Sequence, residues 1–251
     1  MPGVNLIYYT GKFNGDPMFA ARLLAFTKNT RLNMTPDAFT TFMAKPVEEI
    51  AKEMEYMATT IPSSWEFVDA IFLFTNVRRS TAQQVTRTRT ASFAMQSQRV
   101  NDMSGVTWDE PATEDAILIN GLNTGMRMAI NSYSDLVQLG LSLEEAREVL
   151  PVGTHCNLVA KYNLRTLVEL CQKRQSLRVQ GPFNEIVRKM QENILGVWPW
   201  AEPFFRPKQE ASIALIEQVA KDLAHLEGVN GAMYKGLCGK LAKAADLLKG
   251  Q

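Results

Sequence analysis

The chain has 251 residues, is 46% hydrophobic and 21% charged, and carries a formal net charge of +1. That length buries a substantial core without metal or disulfide staples, and the near-neutral balance excludes a general polyanion-binding surface, so strong attraction for phosphate must come from local clustering. Three cysteines, Cys156, Cys171 and Cys238, are odd in number and show no CxxC spacing, which speaks against a disulfide framework or a zinc site and for a reducing compartment. No secretory leader pattern and no run of about eighteen apolar residues is present, and a cytoplasmic protein with no membrane partner is the expectation.

In chain order, VNLIYYT (Val4 to Thr10) is β-branched and aromatic and predicts a strand, and GKFNGDP supplies the turn after it. MFAARLLAFT after Pro17 predicts a helix with Phe19, Leu23 and Phe26 on one face; a second, from Pro46 to Met57, would bury Val47, Ile50 and Met54. Ala70 to Val77 has the length of a buried strand, and STAQQVTRTRT, lacking a breaker, predicts a helix that delivers an arginine cluster at or just beyond its end. Residues 101–112 read as a loop, and Thr113 to Leu150 as two helices separated near Gly140. Asn163 to Lys173 is helical in pattern, with Leu164, Leu167, Val168 and Cys171 sharing a face, and Asn184 to Leu195 follows the break at Gly181-Pro182. WPWAEPFF is aromatic and broken by proline, and the segment from Pro207 reads as two amphipathic helices with Gly228 to Gly231 between them.

Several chemistries lack material. Cys171 stands three residues before Arg174, a spacing that stabilises a thiolate, but a buried cysteine acting as a small hydrophobe is the stronger reading. The two histidines, His155 and His225, supply neither a triad nor a multi-histidine metal site, and no metal is expected. Neither GxGxxG nor GxxxxGK[ST] occurs. What remains is RTRTASFAMQSQRV, Arg87 to Val100, in which Arg87, Arg89 and Arg99 are separated by hydroxyls and amides with no carboxylate or lysine. Planar guanidinium groups so spaced suit a bidentate grip on phosphate and pyrimidine carbonyls; composition alone fits a solvated turn or an RNA-contacting strip equally well.

The spacing resembles the signature of the flavin-dependent thymidylate synthases, Arg-His-Arg, two residues, Ser, and later Ser, one residue, Arg-Tyr. Arg87, Arg89, Ser92, Ser97 and Arg99 fall in register, whereas Thr88 replaces the histidine, Ala94 a usual polar residue and Val100 the tyrosine. The resemblance continues in order from residue 4 to about 205: VNLIYYT with AARLL, Gln84 ahead of the motif, PSSWEFVDAIFLF more loosely, EEAREVLP with Arg147, YNLRTLVELCQKR with Asn163, Arg165 and Arg174, VQGPFNEIV with a small insertion, and VWPWAEPFF.

The resemblance implies an α/β fold, a central twisted and mainly antiparallel sheet flanked by helices, spanning 1–206, with a helical C-terminal extension over 207–251. It implies a homotetramer with shared active sites, binding FAD and a pyrimidine nucleotide, with NADPH and methylenetetrahydrofolate as cosubstrates. Carried over by position, Gln84, Arg87, Gln96, Ser97, Arg99, Arg147 and Arg174 would bind nucleotide, Arg174 lying against the base in the catalytic role. Ser64, Glu66, Arg87, Thr88, Arg89, Asn163, Arg165 and Gln180 would bind FAD; taken alone, Asn163 and Arg165 read as a helix cap and a surface charge. The reaction implied is one-carbon transfer to C5 of dUMP, giving dTMP. The departures at Thr88, Ala94 and Val100, with Glu169 and Arg178 where polar or histidine side chains are common, leave open a relative acting on UMP or dCMP, or one giving a hydroxymethyl product. A non-catalytic nucleic-acid-binding protein on the same fold is the alternative of another class, disfavoured because lysines are not clustered, so no nucleic-acid partner is expected.

Overall fold

The apolar run that follows Trp65 becomes the middle of a sheet. In the computed structural model, which describes residues 2–28, 30, 34–60, 62–174 and 181–206 and the isolated positions 216, 219 and 241, strands β1 (Gly3–Tyr9), β2 (Asp69–Arg78), β3 (Ser92–Met95) and β4 (His155–Asn163) form one antiparallel sheet in the order β1-β2-β4-β3. Alternate residues bury on one face: Ala70, Phe72, Phe74 and Val77 of β2, and Cys156, Leu158, Ala160 and Tyr162 of β4. Large residues face small ones across the pair, Tyr162 opposite Ala70 and Phe72 opposite Ala160. A bulge after Phe74 puts Asn76 at φ 54°, a left-handed conformation that asparagine tolerates, and its backbone N–H donates to Asn157 Oδ1 at 3.0 Å.

Helices α1 (Phe19–Lys28), α2 (Pro36–Met43) and α3 (Val47–Ala58) precede β2. The face of α1 differs from expectation: Ala20, Ala21, Leu24 and Ala25 are buried, because small side chains let α3 and the 3-10 segment Pro62–Phe67 pack closely, while Phe26 sits edge-on to Phe39 and Phe42 of α2 at 5.1 and 6.0 Å. In α3, Ile50, Met54 and Met57 are buried, but Val47, in the first turn, is 48% exposed. Helix α2 had no counterpart in the sequence reading; Thr35 caps it, accepting from the Ala38 N–H at 3.2 Å, and Pro36 opens it.

The remaining helices are α4 (Arg79–Val85), α5 (Ala116–Gln138), α6 (Leu143–Ala146), α7 (Leu164–Arg174), α8 (Pro182–Val197) and α9 (Glu202–Phe205). Helices α4 and α7 pack on β4, and α8 packs on β1, α4 and α7. Leu164, Leu167, Val168 and Cys171 are all buried, as their shared face predicts. A separate small core joins Met103, Tyr133 and Ala146, and the Tyr133 hydroxyl accepts from the Met103 N–H at 3.1 Å. Gly140, at φ +95°, ends α5 where the sequence placed the break.

Strand β4 was also unforeseen, although its residues alternate. It runs without a breaker into α7 at Leu164, so a period of two abuts a period of 3.6 and the helical signal dominates. The chain divides into two compact units, Met1–Ala201 and Glu202–Gln251; within the second, α9 carries an Arg206–Glu202 ion pair at 2.6 Å. The tail helices expected from Pro207 onward fall outside the described stretches. No described helix is long and apolar enough to cross a membrane.

Candidate active site

Helix α4 closes at Thr86, and two further turns, Arg87 N–H to Gln84 C=O at 3.3 Å and Thr88 N–H to Val85 C=O at 3.3 Å, carry the arginines before the chain enters β3. Pairing of Ser92 with Lys161 brings this segment beside β4 and hence beside α7. The Asn163 side chain fixes the start of α7, its Oδ1 accepting from the Thr166 N–H at 2.8 Å. The Thr90 and Thr166 hydroxyls, 3.0 Å apart, tie the two walls together. Between them lies a cleft of about 380 Å³, lined on one side by Gln84, Arg87, Thr88, Arg89 and Thr90 and on the other by Thr166, Glu169, Leu170, Lys173 and Arg174. That volume is at the low end for small-ligand sites.

Among the described residues the lining is strongly cationic, with Arg87, Arg89, Lys173 and Arg174 against one carboxylate, Glu169. The Arg174 guanidinium carbon lies 4.6 Å from the centre of the buried Phe183 ring, a cation–π contact that anchors it at the cleft wall. Glu169 Oε1 accepts from Arg165 Nε at 3.0 Å, and Glu66 Oε1 takes Arg165 Nη1 at 2.7 Å; these two carboxylates, Glu169 foremost, hold the guanidinium above its ordinary pKa.

The residues expected at FAD therefore divide. Arg87, Thr88 and Arg89 line the cleft; Asn163 caps α7; Arg165 and Glu66 are paired; Ser64 is buried; Gln180 lies outside the described residues. The residues expected at the nucleotide divide as well. Gln84, Arg87 and Arg174 line the cleft, whereas Gln96, Ser97, Arg99 and Arg147 do not. Gln96 bonds through its backbone N–H to Asn157 C=O at 2.9 Å, and Ser97 Oγ accepts from the Arg99 N–H at 3.1 Å. Arg99 grips Glu144 at both ends of its fork, Nε to Oε1 at 2.8 Å and Nη2 to Oε2 at 3.0 Å, and Arg147 Nε donates to the Glu144 C=O at 3.1 Å.

Five lining residues were not among the sequence candidates: Thr90, Thr166, Glu169, Leu170 and Lys173. Four of them, Thr166, Glu169, Leu170 and Lys173, form one stripe of α7 at helical spacing, which the helical pattern of Asn163 to Lys173 could have disclosed once Arg174 was a candidate. Cys171, the possible nucleophile, is fully buried, and burial pushes its thiol up to about 12, so it is a core residue.

Residues 5–200 match the family described as thymidylate synthase complementing protein. The chain belongs to that family. The match takes in both walls of the cleft and the Glu144 cluster. Among relatives named flavin-dependent thymidylate synthase, that of Haloarcula marismortui is 28% identical over 159 residues, covering 51% of this chain and 63% of that protein. The one from Clostridium tetani is 24% identical over 206 residues, covering 71% of this chain and 83% of that protein. Against the Haloarcula marismortui and Halobacterium salinarum proteins the chain spans only 63% and 62% of their lengths. A solved UMP/dUMP methylase from Streptomyces cacaoi, bound with 5-Br dUMP, is similar with a TM-score of 0.62 at 20% identity, over 82% of this chain and 96% of that one. That likeness carries the family's α/β fold, with its antiparallel sheet flanked by helices.

Proposed function

We propose that this protein transfers a one-carbon unit from methylenetetrahydrofolate to C5 of a pyrimidine nucleotide, dUMP to dTMP, in the cytoplasm, with FAD as cofactor and NADPH as reductant. The observation that carries the reading is the cleft: Gln84, Arg87, Thr88, Arg89 and Arg174, drawn from two separate stretches of the family match, line one cation-rich volume. Four cations and three threonine hydroxyls suit a phosphate-bearing heterocycle. Arg174 turns its N–H edge toward the base and stabilises charge on a pyrimidine carbonyl, an effect worth roughly 3 kcal/mol by analogy with a single oxyanion donor. Arg87 and Arg89 hold phosphate or the flavin edge, and FAD when bound supplies the hydride chemistry that these side chains cannot.

A volume of about 380 Å³ takes one mononucleotide or one flavin ring, not FAD together with its substrate. This favours sites completed between subunits of a homotetramer, with Ser97, Arg99 and Arg147 of one copy reaching the cleft of another. The enzyme domain is read as 1–206 and the remainder as an extension.

The test is mass spectrometry of reactions holding the protein, FAD, NADPH, isotope-labelled methylenetetrahydrofolate and, separately, dUMP, UMP and dCMP. Labelled dTMP from dUMP is the expected product. No product from any of the three nucleotides sinks the reading, and a colourless protein that binds RNA with steep salt dependence replaces it with the nucleic-acid alternative.

A further inference from the structure

Glu169 is the only carboxylate among the described residues lining the cleft, and its two oxygens differ. Oε1 is held by Arg165 at 3.0 Å, which Glu66 holds from the other side at 2.7 Å. Oε2 has Lys173 Nζ at 4.0 Å, beyond hydrogen-bond reach, and keeps its acceptor capacity. The Glu66–Arg165–Glu169 chain thus fixes a carboxylate in the cleft with one oxygen outside hydrogen-bond reach of any partner among the described residues, one helical turn from Lys173, in a lining that also includes Arg174.

We propose that Glu169 tunes the base discrimination of the cleft, shifting it toward a 4-aminopyrimidine so that a cytosine nucleotide competes with dUMP more closely than it would without this carboxylate. The inference rests on the pyrimidine-nucleotide reading above, keeps dUMP as the substrate, and adds what sets the margin between the two bases. A carboxylate only accepts hydrogen bonds. The uracil edge is carbonyl, N–H, carbonyl, so an anionic oxygen aimed at N3–H meets a repelling oxygen on either side. The cytosine amino group offers N–H bonds flanked by a ring nitrogen and C5–H, and it satisfies the carboxylate without that repulsion. The acceptors left on cytosine, N3 and O2, are what the neighbouring cations Lys173 and Arg174 can serve. Discrimination then comes from repulsion against one base as well as attraction for the other. Arg165 acts as a positioning residue that keeps the carboxylate from swinging to solvent.

The measurement is equilibrium binding of dUMP and of dCMP, by titration calorimetry, to the full-length protein in the presence of FAD, for wild type, Glu169→Gln and Glu169→Ala. A glutamine amide can turn its N–H₂ toward a 4-oxo group, so E169Q should move the ratio of the two dissociation constants toward dUMP by about tenfold, one charge-assisted hydrogen bond's worth of discrimination. E169A should move it the same way by less. The FAD dissociation constant should stay within about twofold, because the carboxylate addresses the base and not the flavin. A ratio unchanged in both variants overturns the inference and leaves the pyrimidine reading standing. Weakened FAD binding with unchanged base discrimination also overturns it, assigning Glu169 to the flavin. Wild-type protein that binds neither nucleotide overturns the pyrimidine reading and this inference together.

Discussion

The role proposed for Arg174 draws on two features the fold already provides. Its guanidinium carbon sits 4.6 Å from the Phe183 ring centre, and the last turn of α7 places it in the lining of a cleft with three other cations among the described residues. Arg174→Lys keeps the charge but loses the planar fork and the guanidinium's contact with Phe183. We expect kcat to fall about a hundredfold with a much smaller change in KM, since the interaction strengthens as charge develops on the base. Far-UV circular dichroism should be unchanged; a variant with undiminished kcat would remove Arg174 from the chemistry. Cys171 is the counter-example. A thiol raised to about 12 by burial supplies no thiolate at neutral pH, whatever its distance in sequence from an arginine. Position on the helix decided both cases, one residue on the apolar face and the other on the cleft side.

The loop between β3 and α5 is held by a small polar network. Arg78 Nε donates to Asp109 Oδ2 at 2.7 Å, His155 Nε2 lies 3.1 Å from Asp109 Oδ1 though not aligned for a hydrogen bond, and the Thr107 hydroxyl meets His155 Nδ1 at 2.8 Å. Burial alone would raise the Asp109 pKa, but the Arg78 hydrogen bond and the His155 and Arg78 charges outweigh it, and the net shift is downward. A depressed carboxyl stabilises the fold above its unfolded pKa, about 3.9, and that contribution disappears as pH falls through the lower folded value. Asp109→Asn should therefore destabilise the protein by about 1–2 kcal/mol at pH 7, and the gap from wild type should close below pH ~3.9 in urea melts. A gap that persists at acid pH would mean the anchor is steric. Elements of this kind explain what the sequence could disclose. α7 shows one helical period over its length, β2 is an apolar run of strand length until the bulge after Phe74, and the motif arginines were legible through their spacing. β4 hid behind the helix it feeds, and the cleft roles of Glu169 and Lys173 depend on how α7 is rotated against the turn after α4, which no local pattern states.

The division of expected nucleotide residues between two places also bears on assembly. Gln84, Arg87 and Arg174 lie in the cleft while Arg99 and Arg147 meet at Glu144, with Ser97 bonded to the Arg99 N–H, and the first half of α5 exposes Ile117 (81%), Leu118 (59%) and Leu122 on a helix few of whose residues are buried. An apolar face of that kind is expected to meet another subunit. Two variants separate shared sites from self-contained ones: Arg174→Ala, which disables the cleft, and Arg147→Ala, which disables the Glu144 cluster. Each alone should be inactive. Co-expressed in equal amounts, they should regain about one quarter of wild-type activity, because a site drawing its cleft from one chain and its cluster from another is intact in that fraction of random pairings. Leu122→Glu should abolish the regain and lower the mass seen by light scattering, since a buried unpaired carboxylate breaks the seam. If the mixture stays inactive while the assembly holds, each chain carries its own complete site, and Arg99 and Arg147 are bound to Glu144 for structure alone.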